Sequence, residues 1–317
     1  MQRKHLTSAA QTMTDSSRKK TRLLIVLNPT AGRHKQAHIN RIIAALQEHG
    51  IRAEVYETRG PGDAITALPR LAPDFDIVVA AGGDGTVNEV LNGIRGSKVT
   101  LGIIPCGTTN VLATEIGLPT RPDAIAALLA SGSTRAIYSG DVNGRCFGMM
   151  VGIGYDAWVV AGVSHELKQK LGKLAYVLSM LRELKHFGNQ QYLLQIDDSL
   201  HTATSVVATL GRHYAGSYVF ARKARLDEPV IDVLLVQTRS RWAFLLMLLA
   251  LPFGLAEKLP FMKTVKGRRV HVNHYPAAPS EAPRESLQAD GDSVACLPAE
   301  LRVIETPLRV LAPAPRA

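Results

Sequence analysis

Short apolar runs alternate with amphipathic stretches over the first 135 residues of the chain. The apolar runs have the length of buried strands and are Leu23–Leu27, Ile51–Tyr56, Asp76–Ala81 and Val99–Ile104. Between them, helices are predicted over His38–His49, Asp63–Leu71, Asn110–Ile116 and Pro122–Ser131. Alternating strands and helices predict an α/β domain with a parallel, doubly wound sheet, whose ligand crevice lies at the carboxyl ends of the strands.

A different pattern begins near residue 136, where short strands with turn signals dominate. These strands are Cys146–Val151, Gln191–Ile196, Ser205–Leu210, Ile231–Gln237 and Arg269–Asn273, and the helical stretches are Ser164–Leu184 and Arg241–Lys258. The pattern predicts a mainly antiparallel, β-rich domain. We therefore expect a disordered basic tail over 1–20, an α/β domain over 21–135 and a β-rich domain over 136–298. The terminal segment 299–317, which contains the proline-edged run Leu301–Leu311, is expected to return to the first domain.

The composition is that of a globular protein, with 46% hydrophobic and 20% charged residues in a chain of 317. Three cysteines without a CxxC pair argue against a disulfide framework and are typical of a reducing cytoplasm. The polar N-terminus lacks the apolar core of a signal peptide. The longest apolar stretch, Ala243–Ala256, is interrupted by Pro252 and Gly254 and is shorter than the about 20 residues that span a bilayer.

Positive charge is concentrated in two segments. The net charge is +10, and basic residues cluster in 1–22 and in 239–269. Such clusters attract nucleic acid or an anionic membrane surface, or they only keep a surface solvated. Aromatic residues make up 5% of the chain and do not interleave with the basic ones, so a nucleic-acid partner is not expected.

A glycine-rich loop with a single carboxylate follows the third predicted strand. It runs from Gly82 to Glu89, and its glycines allow close backbone approach to a ligand, while the following helix N-terminus can hold phosphate oxygens. Thr86 and Glu89 have capping-box spacing, which predicts a helix start at Thr86. Beside a phosphate, Asp84 needs a cation between the two charges, or it accepts a proton from the attacking group.

Two more polar loops follow neighbouring strands, Asn28–Gly32 and Pro105–Asn110. Neither these loops nor the glycine-rich one matches the dinucleotide GxGxxG or the P-loop pattern. An ordinary strand-to-helix turn would explain any one of them. Three such loops at the carboxyl ends of one sheet instead favour a phosphate-binding site.

Together these motifs make the chain resemble the bacterial diacylglycerol kinase and lipid kinase family, whose catalytic domain is related to those of sphingosine and ceramide kinases. The motifs are the NPxxG-like Asn28–Gly32, the GGDGTxNE run Gly82–Glu89, the PxGTxN run Pro105–Asn110 and the weaker Asp290–Asp292. The resemblance extends from about Thr21 to Pro313. It implies an ATP-binding α/β kinase domain followed by a β-rich domain for the lipid acceptor, and a lipid hydroxyl as phosphate acceptor.

The resemblance also implies roles for particular residues. Nucleotide contacts are implied for Asn28, Pro29, Thr30, Ala31, Gly32, Thr58, Gly82, Gly83, Asp84, Gly85, Thr86, Val87, Asn88 and Thr108. Asp292 ends a DGD triplet where bacterial relatives have DGE, and it is the implied general base, with Asp84 as the second catalytic carboxylate. A turn residue in an Asp-Gly hairpin is the other interpretation of Asp292. ATP and Mg²⁺ are the implied cofactors.

Three departures from the family pattern weaken parts of this picture. Val111 and Tyr138 stand where relatives often have aspartates. Relatives also have an LDDG metal-binding loop, where this chain has Leu226-Asp227-Glu228-Pro229. The implied metal ligands here are Arg225, Glu228 and Val230. Because DDG is changed to DEP, the sequence alone leaves open whether a metal binds at this loop.

The implied partners are ATP, a membrane lipid acceptor and an anionic membrane surface, and a homodimer is compatible with the sequence. The implied location is cytoplasmic, on the inner face of the plasma membrane. The segment 241–258, with Phe244 and Leu248, is either a docking segment for that surface or a core helix. Two alternative functions remain: a soluble NAD kinase-like enzyme, and an inactive relative that binds nucleotide or lipid.

Overall fold

The computed structural model describes residues 21–29, 33–163, 173–276 and 285–314. The first part contains strands β1 (Leu23–Leu27), β2 (Ala53–Glu57), β3 (Ile77–Gly82), β4 (Thr100–Pro105) and β5 (Thr134–Ile137). Its helices are α1 (Arg33–Glu48), α2 (Asp63–Leu71), α3 (Asp84–Gly93), α4 (Val111–Glu115) and α5 (Pro122–Ser131). The last strand of the chain, β20 (Leu308–Leu311), joins this sheet, giving the order β2-β1-β3-β4-β20-β5.

Strands β1 to β4 are parallel, with Leu23 beside Ile77 and Ile77 beside Thr100. β1 and β3 are buried along their whole length because helices cover both faces of the sheet, which explains their unbroken apolar sequences. On one face, a core that includes Ile39 and Leu129 packs α1 and α5 against the sheet. On the other face, the core is continuous with that of the second part.

The second part consists mainly of two antiparallel sheets of six strands, in the order β10-β9-β16-β19-β6-β7 and β15-β14-β11-β8-β17-β18. The strands are β6 (Gly140–Val142), β7 (Arg145–Phe147), β8 (Met150–Ile153), β9 (Tyr192–Ile196), β10 (Ser199–Ala203), β11 (Ser205–Thr209), β12 (His213–Tyr214), β13 (Tyr218–Val219), β14 (Ile231–Val236), β15 (Met262–Gly267), β16 (Arg269–His274), β17 (Ser286–Ala289), β18 (Asp292–Cys296) and β19 (Ala299–Val303). β12 and β13 form a separate hairpin. The helices are α6 (Tyr155–Ala161), α7 (Lys173–Glu183) and α8 (Arg241–Ala250). The predicted fold class, a parallel α/β sheet followed by a mainly antiparallel β-rich part, is confirmed.

Some predicted element boundaries are wrong. Helix α3 starts at Asp84, not at Thr86, and there is no capping box, because Glu89 Oε1 accepts the N–H of Gly62 at 2.8 Å. The predicted strand Cys146–Val151 is two strands, β7 and β8. It is interrupted because the N–H groups of Gly148 and Met149 donate to the carboxylate of Asp290 at 2.7 and 2.9 Å.

The ends of other predicted segments also differ from the structure. Within the run Leu301–Leu311, Leu301 belongs to β19 in the second part, and only β20 pairs with the first sheet. The predicted helix Arg241–Lys258 ends as α8 at Ala250, and Gly254 then adopts a left-handed φ of 62°. Of the predicted helix Ser164–Leu184, residues 164–172 lie outside the described residues, as do the tail 1–20 and residues 315–317 of the returning segment.

Candidate active site

The polar loops that follow β1, β3 and β4 meet at one edge of the first sheet, as parallel strands require. Two backbone hydrogen bonds connect them: Asn28 N–H donates to Ala81 O at 3.3 Å, and Cys106 N–H donates to Gly82 O at 2.8 Å. The side chain of Asn28 also reaches the first turn of α3, where its amide donates to Thr86 Oγ1 at 3.5 Å. The three loops therefore form one connected surface.

The glycines of this surface are needed for the packing of one loop on another. A Cβ atom at Gly107 would lie 2.6 Å from the Cα atom of Gly83, and one at Gly82 would lie 2.2 Å from Thr86 Oγ1. A side chain at Gly107 would push the two loops apart, and one at Gly82 would displace Thr86 in the first turn of α3. The glycine-rich composition that predicts phosphate binding thus has a packing cause as well.

Asp84 lies where the two glycine-containing loops meet. Its carboxylate accepts a hydrogen bond from Thr109 Oγ1 at 2.5 Å and another from the N–H of Val111 at 2.6 Å, which is the first residue of α4. Burial raises the pKa of Asp84, the two hydrogen bonds oppose this shift, and the nearby charge of Asp290 adds to it. At position 111, where relatives often have an aspartate, the backbone N–H holds Asp84 and the valine side chain is buried.

The Asp290–Asp292 triplet forms the turn between β17 and β18. Asp290 and Gly291 both have positive φ, 50° and 91°, which is the geometry of a two-residue hairpin turn. Asp290 is a structural anchor, because its carboxylate accepts hydrogen bonds at 2.7 to 3.0 Å from Asn88 Nδ2 and from the N–H groups of Gly148, Met149 and Met150. The turn therefore holds the second part of the protein against α3.

Asp292 projects from this turn towards the glycine-rich loop. A Cβ atom at Gly85 would lie 3.0 Å from Asp292 Oδ2, and the Asp292 side chain is exposed. The structure thus brings the two predicted catalytic carboxylates, Asp84 and Asp292, to the same end of α3. Because Asp84 and Asp292 are far apart along the chain, no local sequence pattern could predict that they lie close together.

The other residues implied in nucleotide binding differ in how far they are exposed to solvent. Thr58 is buried beside the Asn28 loop and donates its N–H to Leu27 O at 2.9 Å, whereas Pro29 and Thr108 are exposed. Val87 is buried and faces a cavity. Thr30, Ala31 and Gly32 lie outside the described residues.

Asn88 lies at the joint between the two parts of the protein. Its side chain is buried, and its amide nitrogen donates to Cys146 O at 3.0 Å and to Asp290 Oδ2 at 2.9 Å. Its amide oxygen accepts a hydrogen bond from Arg145 Nη2 at 3.1 Å. These contacts give Asn88 a structural role, and its contact with a nucleotide stays a prediction.

The implied metal loop does not fit a divalent cation. Both carboxylate oxygens of Glu228 already face cations, with Arg225 Nε at 3.4 Å and Lys266 Nζ at 3.2 Å. The carbonyl of Arg225 accepts the N–H of Glu228 at 3.1 Å, which closes the turn internally. Across the described ranges, there is no group of three or more His, Cys, Asp or Glu residues that could hold a metal. We therefore derive no catalytic step from a metal bound at Arg225, Glu228 and Val230.

A cavity of about 290 Å³ lies between the loops and the second part. Most of its lining is apolar, with Leu91, Met149, Val159, Met180, Leu248 and Leu251 among the contributing residues. Its polar lining includes Asp84, Asp290 and a group absent from the sequence predictions, Asp156, Tyr214 and Gln288. The single carboxylate of Asp156, inside the apolar run Tyr155–Ala161, was the only sequence signal for this group.

Two domains of known protein families match most of this chain. The diacylglycerol kinase catalytic domain matches residues 22–142, and the YegS C-terminal NAD kinase beta sandwich-like domain matches residues 149–312. A diacylglycerol kinase of Mycobacterium tuberculosis strain H37Rv is 32% identical over 302 residues, which are 90% of this chain and 93% of that protein. The chain belongs to the diacylglycerol kinase and YegS-like lipid kinase family. The resemblance noted in the sequence motifs is thus confirmed.

Solved structures support the fold of this lipid kinase family member. A diacylglycerol kinase from Bacillus anthracis str. Sterne superimposes with a TM-score of 0.71 at 22% identity, covering 94% of this chain and 99% of that chain. A yeast NADH kinase complexed with NADH superimposes with a TM-score of 0.51 at 12% identity, covering 94% and 85%. At these identities, both likenesses concern the fold alone.

Membership of this family confirms the prediction that the protein is a kinase, and a kinase family implies ATP as the phosphate donor. None of the helices in the described ranges has the length and apolar composition that crossing a bilayer requires.

Proposed function

We propose that this kinase transfers the γ-phosphate of ATP to a hydroxyl group of a membrane lipid of the diacylglycerol or the sphingoid and ceramide type. The observation that carries this proposal is the largely apolar cavity that reaches both Asp84 and the Asp290–Gly291 turn. Its volume of about 290 Å³ is small for an organic ligand, for which about 300–1,000 Å³ is usual. It therefore suits the hydroxyl-bearing end of a lipid and the first part of its apolar chain, with the remaining chain outside.

The residues of the site have separate roles in this proposal. Backbone N–H groups of the connected loops and of the first turn of α3 would hold the triphosphate. The lipid hydroxyl gives its proton to the carboxylate of Asp292 as its oxygen attacks the γ-phosphorus, and the bond to the leaving oxygen of ADP breaks. Magnesium carried by ATP would neutralise part of the triphosphate charge. Asp84 fixes the relative position of both glycine-containing loops through Thr109 and Val111.

The apolar lining favours a lipid over a nicotinamide nucleotide as acceptor, because a nucleotide's sugars and phosphates require polar partners that an apolar wall does not offer. The fold likeness to an NADH kinase is compatible with either acceptor. A relative that only binds nucleotide or lipid would not need Asp84 and Asp292 for binding alone. The presence of both carboxylates at the same end of α3 therefore favours an active kinase.

Transfer from labelled ATP tests the proposal directly. The protein is incubated with magnesium, γ-labelled ATP and a total extract of membrane lipids, and the labelled product is identified by chromatography and mass spectrometry. We expect label in a lipid monoester phosphate. Label transferred to added NAD⁺ or NADH would support the alternative enzyme, and nucleotide binding without transfer to either acceptor would support the inactive relative.

A membrane acceptor requires a docking surface, and we assign this role to exposed apolar residues beside the cavity. Exposed apolar residues lie at helical spacing along α8 and the following turn, with exposed fractions of 80% for Trp242, 52% for Leu246, 62% for Leu249 and 75% for Phe253. On α7, Leu178 and Leu181 and their neighbour Val177 are also exposed. Val177 and Leu248 line the cavity, so the two helices border its mouth. We call this set of residues the docking surface.

Charge and packing both favour an anionic membrane as the occupant. Exposed basic residues flank the docking surface, among them Arg182, Lys185, Arg239, Arg241 and Lys258. Each basic residue near an anionic surface contributes about 1 kcal/mol of binding. Within the segment 241–258, Phe244 belongs to the core, because it is 1% exposed and stacks on Phe187 with ring centroids 3.9 Å apart. The exposed side chains of the segment are the ones that we propose to contact the membrane. Peripheral attachment to the inner face of the plasma membrane is part of this proposal, and homodimerisation stays a prediction.

The docking surface makes a specific binding prediction. Replacing Trp242 and Phe253 together by Asp should weaken binding to vesicles containing anionic phospholipid by about 100-fold or more, because each buried aromatic side chain contributes about 1.5–3 kcal/mol. The matched control is Leu200→Asp, since Leu200 is 68% exposed on β10. Sedimentation with vesicles measures the effect. Normal pelleting of the folded double variant, or an equal loss in the control, would contradict the prediction.

A further inference from the structure

We infer that Gln288 is a positioning residue that connects the wall of the acceptor cavity to the turn carrying Asp292. This inference rests on the proposed function, in which the cavity receives the lipid and Asp292 takes its proton. Gln288 lies on β17, two residues before the turn, and is 3% exposed. It is among the residues that line the cavity.

The amide of Gln288 contacts a different partner at each end. Its Oε1 accepts the N–H of Gly291 at 2.8 Å, and its Nε2 donates to Asp156 Oδ2 at 2.5 Å. The opposite orientation of the amide would place oxygen against carboxylate and nitrogen against an N–H group, so the two contacts determine its orientation together. One side chain thus joins the cavity to the residue that precedes Asp292.

Asp156 anchors the Gln288 side chain on the cavity side. It is buried on α6, and its other oxygen, Oδ1, accepts a hydrogen bond from Tyr214 OH on the β12–β13 hairpin. Burial raises the pKa of Asp156, whereas the hydrogen bonds from Tyr214 and Gln288 lower it. Gly152 leaves room for this arrangement, because a Cβ atom there would lie 1.7 Å from Asp156 Oδ2 and 2.7 Å from Gln288 Nε2.

Asp156, Tyr214 and Gln288 all line the cavity and come from three separate segments. A lipid in the cavity would contact this group. Because Gln288 also accepts the Gly291 N–H, a shift of the group would move the turn that carries Asp292. Asp290 anchors the turn from the other side through Asn88 and residues 148–150. Without Gln288, the Asp290 side of the turn would remain held, while the Gly291 N–H would lose its side-chain acceptor beside Asp292.

The test has a structural and a kinetic arm. In Gln288→Leu, hydrogen exchange at the Gly291 amide should accelerate because its acceptor is removed, with nucleotide binding unchanged. The kcat for lipid phosphorylation should fall by about 100-fold, the cost expected for a displacement of about 1 Å, with the KM for ATP unchanged. The control is Thr204→Val, which removes a hydroxyl that lies 2.9 Å from Val236 O and 2.7 Å from Thr238 O and donates its one proton between them.

The variant Gln288→Glu adds a pH readout that a purely structural role would not produce. Its carboxyl group would face Asp156, with Tyr214 and Tyr155 beside it and Asp290 and Asp84 on the cavity wall. Two facing carboxyl groups share one proton below the pKa of the pair, and the like charge raises that pKa above the usual carboxyl range. We expect partial activity of Gln288→Glu below the raised pKa of this pair and loss of activity above it, a pH-dependent loss that Gln288→Leu does not show.

Unchanged Gly291 exchange in Gln288→Leu would overturn the inference, whatever the activity. An unchanged kcat, or an equal fall in kcat in Thr204→Val, would also overturn it. If the wild-type protein phosphorylates no lipid while Gln288→Leu still accelerates exchange at Gly291, the proposed function fails and the structural connection through Gln288 stands.

Discussion

Asp84→Asn is expected to reduce phosphoryl transfer by about 100- to 1,000-fold, with ATP binding retained. The asparagine can still accept the Val111 N–H, but it loses the negative charge, and its NH₂ group cannot accept the Thr109 hydroxyl. The measurement is kcat with a lipid acceptor, together with the dissociation constant for ATP. Because burial raises the pKa of Asp84, the wild-type enzyme should lose the required ionised form on acidification at a higher pH than an exposed aspartate would.

A second variant separates the charge of Asp84 from its role in loop packing. Thr109→Val removes only the hydroxyl hydrogen bond at 2.5 Å and leaves the carboxylate in place. If Thr109→Val loses as much activity as Asp84→Asn, Asp84 acts through loop geometry alone. Wild-type rates in Asp84→Asn would exclude any catalytic role for its charge.

The second large effect is expected at Asp292. Asp292→Ala should reduce transfer by about 10²- to 10⁴-fold, the range for loss of a general base. Asp292→Glu should keep much of the activity because it retains a carboxylate at this position. Gly85→Ala should also impair transfer, since the added methyl group would lie 3.0 Å from Asp292 Oδ2. Steady-state kinetics at saturating ATP measure all three variants.

Asp290 provides the contrast for Asp292, because both residues belong to one turn. Asp290→Ala removes the acceptor of four described donors, so it should lower the thermal unfolding temperature. If Asp292→Ala retains near-normal activity, the triplet is only a hairpin turn.

The unbroken apolar strands show why so much of the first sheet was predictable. Strands β1 and β3 are covered on both faces, so every residue in them is apolar, and their parallel order places the loops after them at one edge. Phe244 shows the limit of such reasoning. In the apolar run of α8, local pattern could not distinguish Phe244, which is core, from Trp242, which is 80% exposed.

The family, the α/β order of elements and the three loops can be predicted from the sequence, because strand burial, helix spacing and short motifs are local properties. The partners of the carboxylates depend on tertiary contacts. Asp290 meets Asn88 across 202 residues, and Gln288 meets Asp156 across 132, so no local signal could distinguish the anchor Asp290 from the exposed Asp292. At the implied metal loop, a tertiary contact likewise adds what the sequence does not show. Glu228 alone looks like a ligand, but Lys266 reaches it from the neighbouring strand and supplies the positive charge that a cation would have provided.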